Sequence, residues 1–406
     1  MKILFVSYWE LENNLTVSTI FPHIRILSEA DAVESIVLVT VERTQELPDI
    51  THYEEVLGKK TSIHLIPSKA SWPFHLGKAV DFITIPKKIT TLAKSLGSDI
   101  ILARTAMAGA IALKAAEKNK IPLYVESYEP HAEYMAESGV WRRGGSRYKF
   151  QLKKEKKLNR KAAGLIPVSH QFANRLVENE QVDSEKVRVI PCNVQLEKFA
   201  FNKEARLETR KSLGIPEDKV TGIYVGKFGG LYLENEAFEL FLSAHKELSG
   251  AFHLIVLSPQ SRQEVEGLAL KAGFPISDLT VTRAPHTQVA SYLSAADLAF
   301  ATYKPGPSKK YLSPVKVGEY WASGLPVVLT EGVGDESYII PDEGGGALFN
   351  PAKAKDFFSD KRDLLCLKAD NKVREQAMRL AEKHRNYKQS LEVYDYFFDL
   401  FNKGGK

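Results

Sequence analysis

The chain runs to 406 residues, which suits two domains better than one, and its 44% apolar and 26% charged content is that of a globular protein able to bury two cores. Lysine and arginine outnumber aspartate and glutamate by 55 to 50, and a net charge of +5 is too small for a dedicated nucleic-acid binder. The two cysteines, Cys192 and Cys366, lie far apart and outside any Cys/His cluster, which argues against a zinc site or a disulfide framework and fits a reducing cytoplasm.

The first apolar run leads into Trp9, Glu10 and Glu12 without a small-residue cleavage site, so it reads as a strand and not as a signal peptide. No stretch approaches the ~18 apolar residues of a membrane span, so any meeting with a membrane is from its surface. Strands are expected at Lys2–Ser7, Ser35–Val41, Ser62–Pro67, Asp99–Ala103, Pro122–Glu126, Gly164–Ser169 and Val187–Pro191, with helices between them at Pro86–Leu96 and Met107–Lys118. Several of these strands are continuous Val/Ile/Leu runs, the pattern of strands covered on both faces of a parallel sheet. The rhythm returns with strands at Thr221–Val225, His253–Ser258, Leu279–Thr282, Leu298–Thr302 and Pro326–Thr330. Helices are expected at Glu234–Leu248, Arg262–Lys271, His286–Ser294, Pro314–Ser323 and Ala352–Lys361, and a last one over about Lys372–Phe401. The fold class is therefore α/β, with two doubly wound Rossmann-like domains and a ligand cleft at the carboxyl ends of their strands. The domains are expected at 1–198 and 199–371, with the aromatic-rich helix of 372–406 packing back on the first.

Four segments carry candidate chemistry. Val125–Tyr134 opens at the end of a buried strand and holds His131 with the carboxylates Glu126, Glu129 and Glu133. Trp141–Lys161 has ten Lys/Arg and one Glu, with aromatic and apolar residues interleaved, a candidate contact with anionic lipid headgroups as well as an ordinary solvated helix face. Tyr224–Gly230 runs from a strand into a glycine-rich turn, where Gly226, Gly229 and Gly230 let backbone approach an anion and Lys227 adds a cation. In Ser294–Thr330 a buried strand leads through a Pro/Gly/Lys loop to a helix with Ser313 as N-cap and Pro314 at its first position. Such a start is a seat for phosphate, with Lys309, Lys310 and Lys316 nearby. Glu319 lies a turn and a half further on, within reach of two ribose hydroxyls.

Ser313–Val328 follows S-P-x-K-x-x-E-Y-x-A-x-G-x-P-V-V, which resembles the donor-binding helix of GT-B glycosyltransferases, especially the GT4-like group (glycosyl transferases group 1). The likeness implies that Glu319 holds the nucleotide ribose and that the backbone of Ser313, Pro314 and Val315 meets the diphosphate. Tyr311 stands where the family often has a second glutamate against the donor sugar. Val225–Phe228 resembles the family's V-G-R-(L/F) element with Lys for Arg, and the lysine that usually follows is missing near Tyr232. His131, in E-P-H, matches a histidine that the family places near the reacting sugar. Val168–Phe199 and Ala284–Asp297 are similar to the family's linker and to the element before its donor helix, where His286 reads as a capping or structural residue. The resemblance is clear over 160–335 and thin before 120.

It implies an enzyme with a nucleotide-diphosphate sugar as co-substrate and no cofactor; the cysteine usage and the basic 141–161 segment add the expectation of a cytoplasmic location, peripheral on the inner face of the membrane. No metal is expected, since Asp31 and Asp335 are isolated and no Asp-x-Asp occurs in a plausible loop. His131, Lys227 and Lys316 are the candidate catalytic residues, and Glu126, Glu129 and Tyr311 candidate contacts of donor sugar or acceptor. The expected reaction moves the sugar to a glycan or lipid-linked acceptor in surface polysaccharide or glycoconjugate synthesis, with retention of configuration. Two alternatives stay open: a nucleotide-sugar 2-epimerase on the same fold, and a non-catalytic glycosyltransferase-like partner subunit. A dehydrogenase is disfavoured because no G-x-G-x-x-G follows the first strand.

Overall fold

A computed structural model describes residues 1–44, 46–68, 74–366 and 371–404. The chain divides into two compact units, 1–191 with 387–406, and 192–386. The first holds β1 (Lys2–Val6), β2 (Ser35–Glu42), β3 (Thr61–Pro67), β4 (Ile100–Arg104), β5 (Leu123–Ser127) and β6 (Gly164–Pro167). The second holds β7 (Val220–Val225), β8 (Phe252–Leu257), β9 (Leu279–Thr282), β10 (Leu298–Ala301), β11 (Val327–Thr330) and β12 (Gly346–Phe349). Both six-stranded sheets are parallel, in the orders β3-β2-β1-β4-β5-β6 and β12-β11-β10-β7-β8-β9. Their strands are buried on both faces, as the unbroken apolar runs require: Ile3 to Val6 and Leu298 to Ala301 are each at most 1% exposed.

Each sheet starts at a central strand and later continues on that strand's other side. β1 beside β4, and β7 beside β10, are thus the switch points where the connections leave in opposite directions, and ligands of open α/β sheets bind beyond the carboxyl ends there. The first unit's sheet is covered by the helix Phe21–Glu29 and by the chain's last helix, Lys388–Gly404, whose Tyr394, Phe397 and Phe398 enter its core. Gly164 makes this possible, since a Cβ there would stand 2.5 Å from the Phe397 ring and 2.7 Å from Tyr124.

Four expectations are corrected. Val187–Pro191 forms no strand: Arg188 and Ile190 donate to Leu165 and Pro167 beside β6, but only Leu165 and Val187 pair as a bridge. The last helix is two helices, Asn371–Arg385 in the second unit and Lys388–Gly404 in the first. Pro86 does not start its helix but lies inside Phe74–Leu96, because the buried stripe Ile85, Ile89 and Ala93 carries the helix through it. β12, short and opened by Gly346, was not expected at all.

Candidate nucleotide-binding site

β7 ends in the glycine turn at the second sheet's switch point. Gly226, Gly229 and Gly230 have φ of 140°, 82° and 62°, a region that side chains disfavour. The turn is pinned from inside: the Tyr224 hydroxyl donates to the Lys227 carbonyl at 2.7 Å, the Phe228 N–H donates to Gln260 Oε1 at 2.6 Å, and the Tyr224 and Phe228 rings stack at 4.5 Å. The Lys227 side chain is exposed. Glu234, which the sequence did not single out, ends so close that a Cβ on Gly229 would lie 2.3 Å from its Oε1. Beyond the turn the backbone runs antiparallel to the segment after β10: Leu233 N–H donates to Thr302 at 3.0 Å and Lys304 N–H to Leu231 at 2.9 Å. That ladder sets the Tyr232 and Tyr303 rings 5.0 Å apart.

The helix expected at Pro314–Ser323 is present as Val315–Ala322, with Val317, Tyr320 and Trp321 buried against the sheet and Gly324 (φ 71°) just past its end. Its start differs from expectation. The N-cap is Pro314, and Ser313 is drawn away because its hydroxyl accepts from the Cys192 N–H at 3.0 Å and from the Arg385 guanidinium. Arg385 also donates to the Cys192 carbonyl at 3.0 Å and pairs with Glu336, both side chains being buried. The loop is thereby tied down from behind, while the N–H groups of the first helical turn, from Val315 and Lys316, have no partner within the helix. Lys309 and Tyr311 are buried in a 3-10 turn of this loop, and the Lys309 carbonyl accepts from Gly334 at 3.0 Å.

Lys316 joins the two elements. Its Nζ lies 4.2 Å from the centre of the Tyr232 ring, 5.3 Å from Tyr224 and 5.4 Å from Tyr303. A Cβ on Gly226 would lie 3.0 Å from the same atom. The Nζ is shut off from solvent and has no hydrogen-bond partner among the described residues. Burial pulls its pKa down to about 7, with the Glu319 charge acting in the opposite direction. Glu319, one turn further along, keeps a side chain 12% exposed and lies 3.3 Å from His286 Nε2, while Lys198 Nζ lies 2.9 Å from the other ring nitrogen. Gly226, Gly229, Gly230, Lys227, Val315, Lys316 and Glu319 therefore gather in one unit around one switch point.

The candidates of the first unit divide. Glu126 does not lie open to a ligand. It is buried at the end of β5, pairs with Arg104, and accepts from the Tyr394 hydroxyl, which lies 2.7 Å from His23 Nδ1. Desolvation, then the Arg104 charge, holds His23 well below its ordinary pKa. Glu133 is taken up by Arg175 through two bonds of 2.7 and 2.9 Å. Glu129 lies 2.9 Å from His131 Nδ1, and the His131 ring meets Trp141 edge-on at 5.6 Å. Behind them Glu155, the one acid of the basic helix Ser146–Lys161, accepts from the Ala132 N–H at 3.0 Å, and burial raises its pKa to about 7. The sequence signals for the three tyrosines, Arg385 and Glu155 were weak, because each acts through a partner distant in the chain.

Among the described residues no group of three or more His, Cys, Asp or Glu could hold a metal ion, and no helix is long and apolar enough to cross a membrane.

Comparison with known proteins follows the same division. Residues 35–198 match Glycosyltransferase Family 4, and residues 221–366 match Glycosyl transferases group 1. TuaC of Bacillus subtilis (strain 168), assigned to teichuronic acid biosynthesis as a glycosyltransferase, is 30% identical over 171 residues, which span 42% of this chain and 39% of that relative's length. Among solved structures, sucrose-phosphate synthase from Thermosynechococcus elongatus superposes with a TM-score of 0.73 at 17% identity, covering 99% of this chain and all (100%) of that one. The HepE protein of Anabaena, in complex with UDP, does so with a TM-score of 0.71 at 13% identity, covering 98% and 100%. At such identities these two establish the shared fold, the two-domain α/β GT-B architecture. With both of its units matched, the chain belongs to the group 1, GT4-like glycosyltransferases.

Proposed function

We propose that the chain transfers a sugar from a nucleotide-diphosphate donor, bound by the second unit, to a glycan or lipid-linked acceptor bound by the first, with retention of configuration and without a metal ion. The observation that carries this reading is the meeting of the Gly226 turn, the Val315 helix start and the Lys316 ammonium at one switch point. Backbone N–H groups, a helix dipole and a cation aimed at one place stabilise charge as it develops on a leaving diphosphate. Glu319 clasps the ribose, and His131, oriented by Glu129, serves the reacting sugar. Tyr311, buried beside the loop, leaves the donor sugar without the carboxylate that relatives often supply. The HepE complex with UDP supports a nucleotide ligand for this fold, and the assignment of TuaC to teichuronic acid biosynthesis supports a role in polysaccharide synthesis.

The same reading places the first unit against an anionic membrane through 141–161. Phe150 stands 50% exposed amid the lysines and arginines, and Lys154 Nζ lies 5.3 Å from its ring centre. Co-sedimentation with phosphatidylglycerol vesicles, lost at high salt and in Phe150→Ser, is expected, and equal binding to neutral vesicles would remove this part.

The test of activity is a thermal-shift screen of nucleotide sugars, followed by product analysis with EDTA, with and without acceptor. Acceptor-dependent release of UDP or GDP with a glycosylated product is expected. An epimerised sugar without acceptor would indicate the 2-epimerase, and no stabilisation by any donor the non-catalytic subunit.

A further inference from the structure

Lys316 presents a physical problem that its role as one more phosphate-binding cation does not solve. A buried ammonium normally pairs with a carboxylate or spends its protons on carbonyl oxygens. This one does neither among the described residues. Its surroundings are three phenol rings: Tyr224 from β7, Tyr232 from the segment after the glycine turn, and Tyr303 from the end of β10. Burial raises the pKa of all three phenols, so none becomes a phenolate counter-ion. Of the other titratable groups here, Glu319 and Tyr320 belong to the helix of Lys316 itself, and Lys227 is the exposed cation of the turn. The Tyr320 hydroxyl is occupied, accepting from the Val225 N–H at 3.1 Å. Ring faces attract a cation but supply no charge to balance it. The Gly226 backbone passes close by: a Cβ there would lie 3.0 Å from the ammonium nitrogen.

We propose that Tyr224, Tyr232 and Tyr303 are positioning residues that hold the Lys316 amine, without a counter-ion, for the diphosphate of the donor, so that nucleotide binding takes up a proton. The inference rests on the donor reading above and adds to it. With its pKa drawn down to about 7, Lys316 is mostly neutral in the empty unit at pH 8. An arriving diphosphate supplies the missing negative charge, raises that pKa and draws one proton from the buffer. The terminal phosphate of the nucleotide, with a pKa of about 6, is already ionised at this pH and takes up none.

The experiment is isothermal titration of UDP and of GDP into the full chain at pH 8 and at pH 6, in buffers of different ionisation enthalpy. The expected result is uptake of close to one proton per nucleotide at pH 8 and much less at pH 6. Lys316→Arg, whose guanidinium never loses its proton, is expected to bind without uptake, and Lys316→Met to bind at least tenfold more weakly, also without uptake. Tyr232→Phe keeps the ring and both properties, whereas Tyr232→Leu loses affinity and changes the proton count. Binding at pH 8 with a heat independent of the buffer would overturn the inference and leave the donor reading intact. Absence of binding by either nucleotide at both pH values would overturn both.

Discussion

Glu319 is the candidate residue whose neighbours bear most directly on its proposed role. Its carboxylate is held by His286, an exposed imidazole, and not by a buried cation, so a ribose can replace that partner without stranding a charge. A hydrogen bond to a charged group contributes about 1.5–3 kcal/mol, so Glu319→Ala is expected to weaken UDP or GDP binding by about ten- to a hundredfold. His286→Ala removes only the resting partner and is expected to change affinity by less than about threefold. Titration calorimetry reads both, and an unchanged affinity in Glu319→Ala would remove the ribose assignment. Lys227 and Lys316 look equivalent in the sequence, but only Lys316 is enclosed, because residue 316 falls in the first turn of the helix and its amine lies among the rings of Tyr224, Tyr232 and Tyr303.

At the level of elements, the Val315–Ala322 helix depends on what lies behind it. Arg385 reaches from the helix Asn371–Arg385 to the Cys192 carbonyl, the Ser313 hydroxyl and Glu336. Arg385→Met leaves Glu336 buried and uncompensated, at a cost of about 3–5 kcal/mol, and frees the loop before the helix. Thermal unfolding and nucleotide affinity should both fall, and a variant as stable as the parent would contradict this. In the first unit Glu155 stores a different tension. Its folded pKa of about 7 stands above the ordinary 4.5, so its contribution to stability is present below pH 4.5 and lost as pH rises through 7. Glu155→Gln cannot ionise, and it is expected to match the parent at pH 4 and to exceed it at pH 8 by up to about 3 kcal/mol, read by denaturant melts at the two pH values.

The same elements show what was legible beforehand. β1, β4 and β10 announce themselves as unbroken apolar runs, and the Ser313–Val328 pattern locates the Val315–Ala322 helix to within two residues. What stayed hidden depends on partners far along the chain. Ser313 reads as an N-cap until Arg385 claims its hydroxyl, and Glu126 reads as an open carboxylate until Arg104 and Tyr394 close on it. The tyrosine box draws on three separate segments, and no local spacing foretells it.

For the molecule as a whole, the sequence order of the elements is not their order in space. The chain leaves the second unit at Asn386 and gives its last helix to the first. Truncation after Asn386 removes Tyr394, Phe397 and Phe398 from the first unit's core, and losing one large buried aromatic costs about 3–5 kcal/mol. Three such losses rival the 5–15 kcal/mol by which a domain is typically stable, so the truncated chain should show no folded first unit by hydrogen exchange. A protected β1 in that variant would contradict the assignment. The account as a whole turns on an anion seat in the second unit, and a crystal structure with UDP or GDP bound tests it most directly. The diphosphate should lie against the N–H groups of Val315 and Lys316 and the Gly226 turn, with the ribose on Glu319. A nucleotide bound elsewhere, or a seat left empty at saturating ligand, would contradict it.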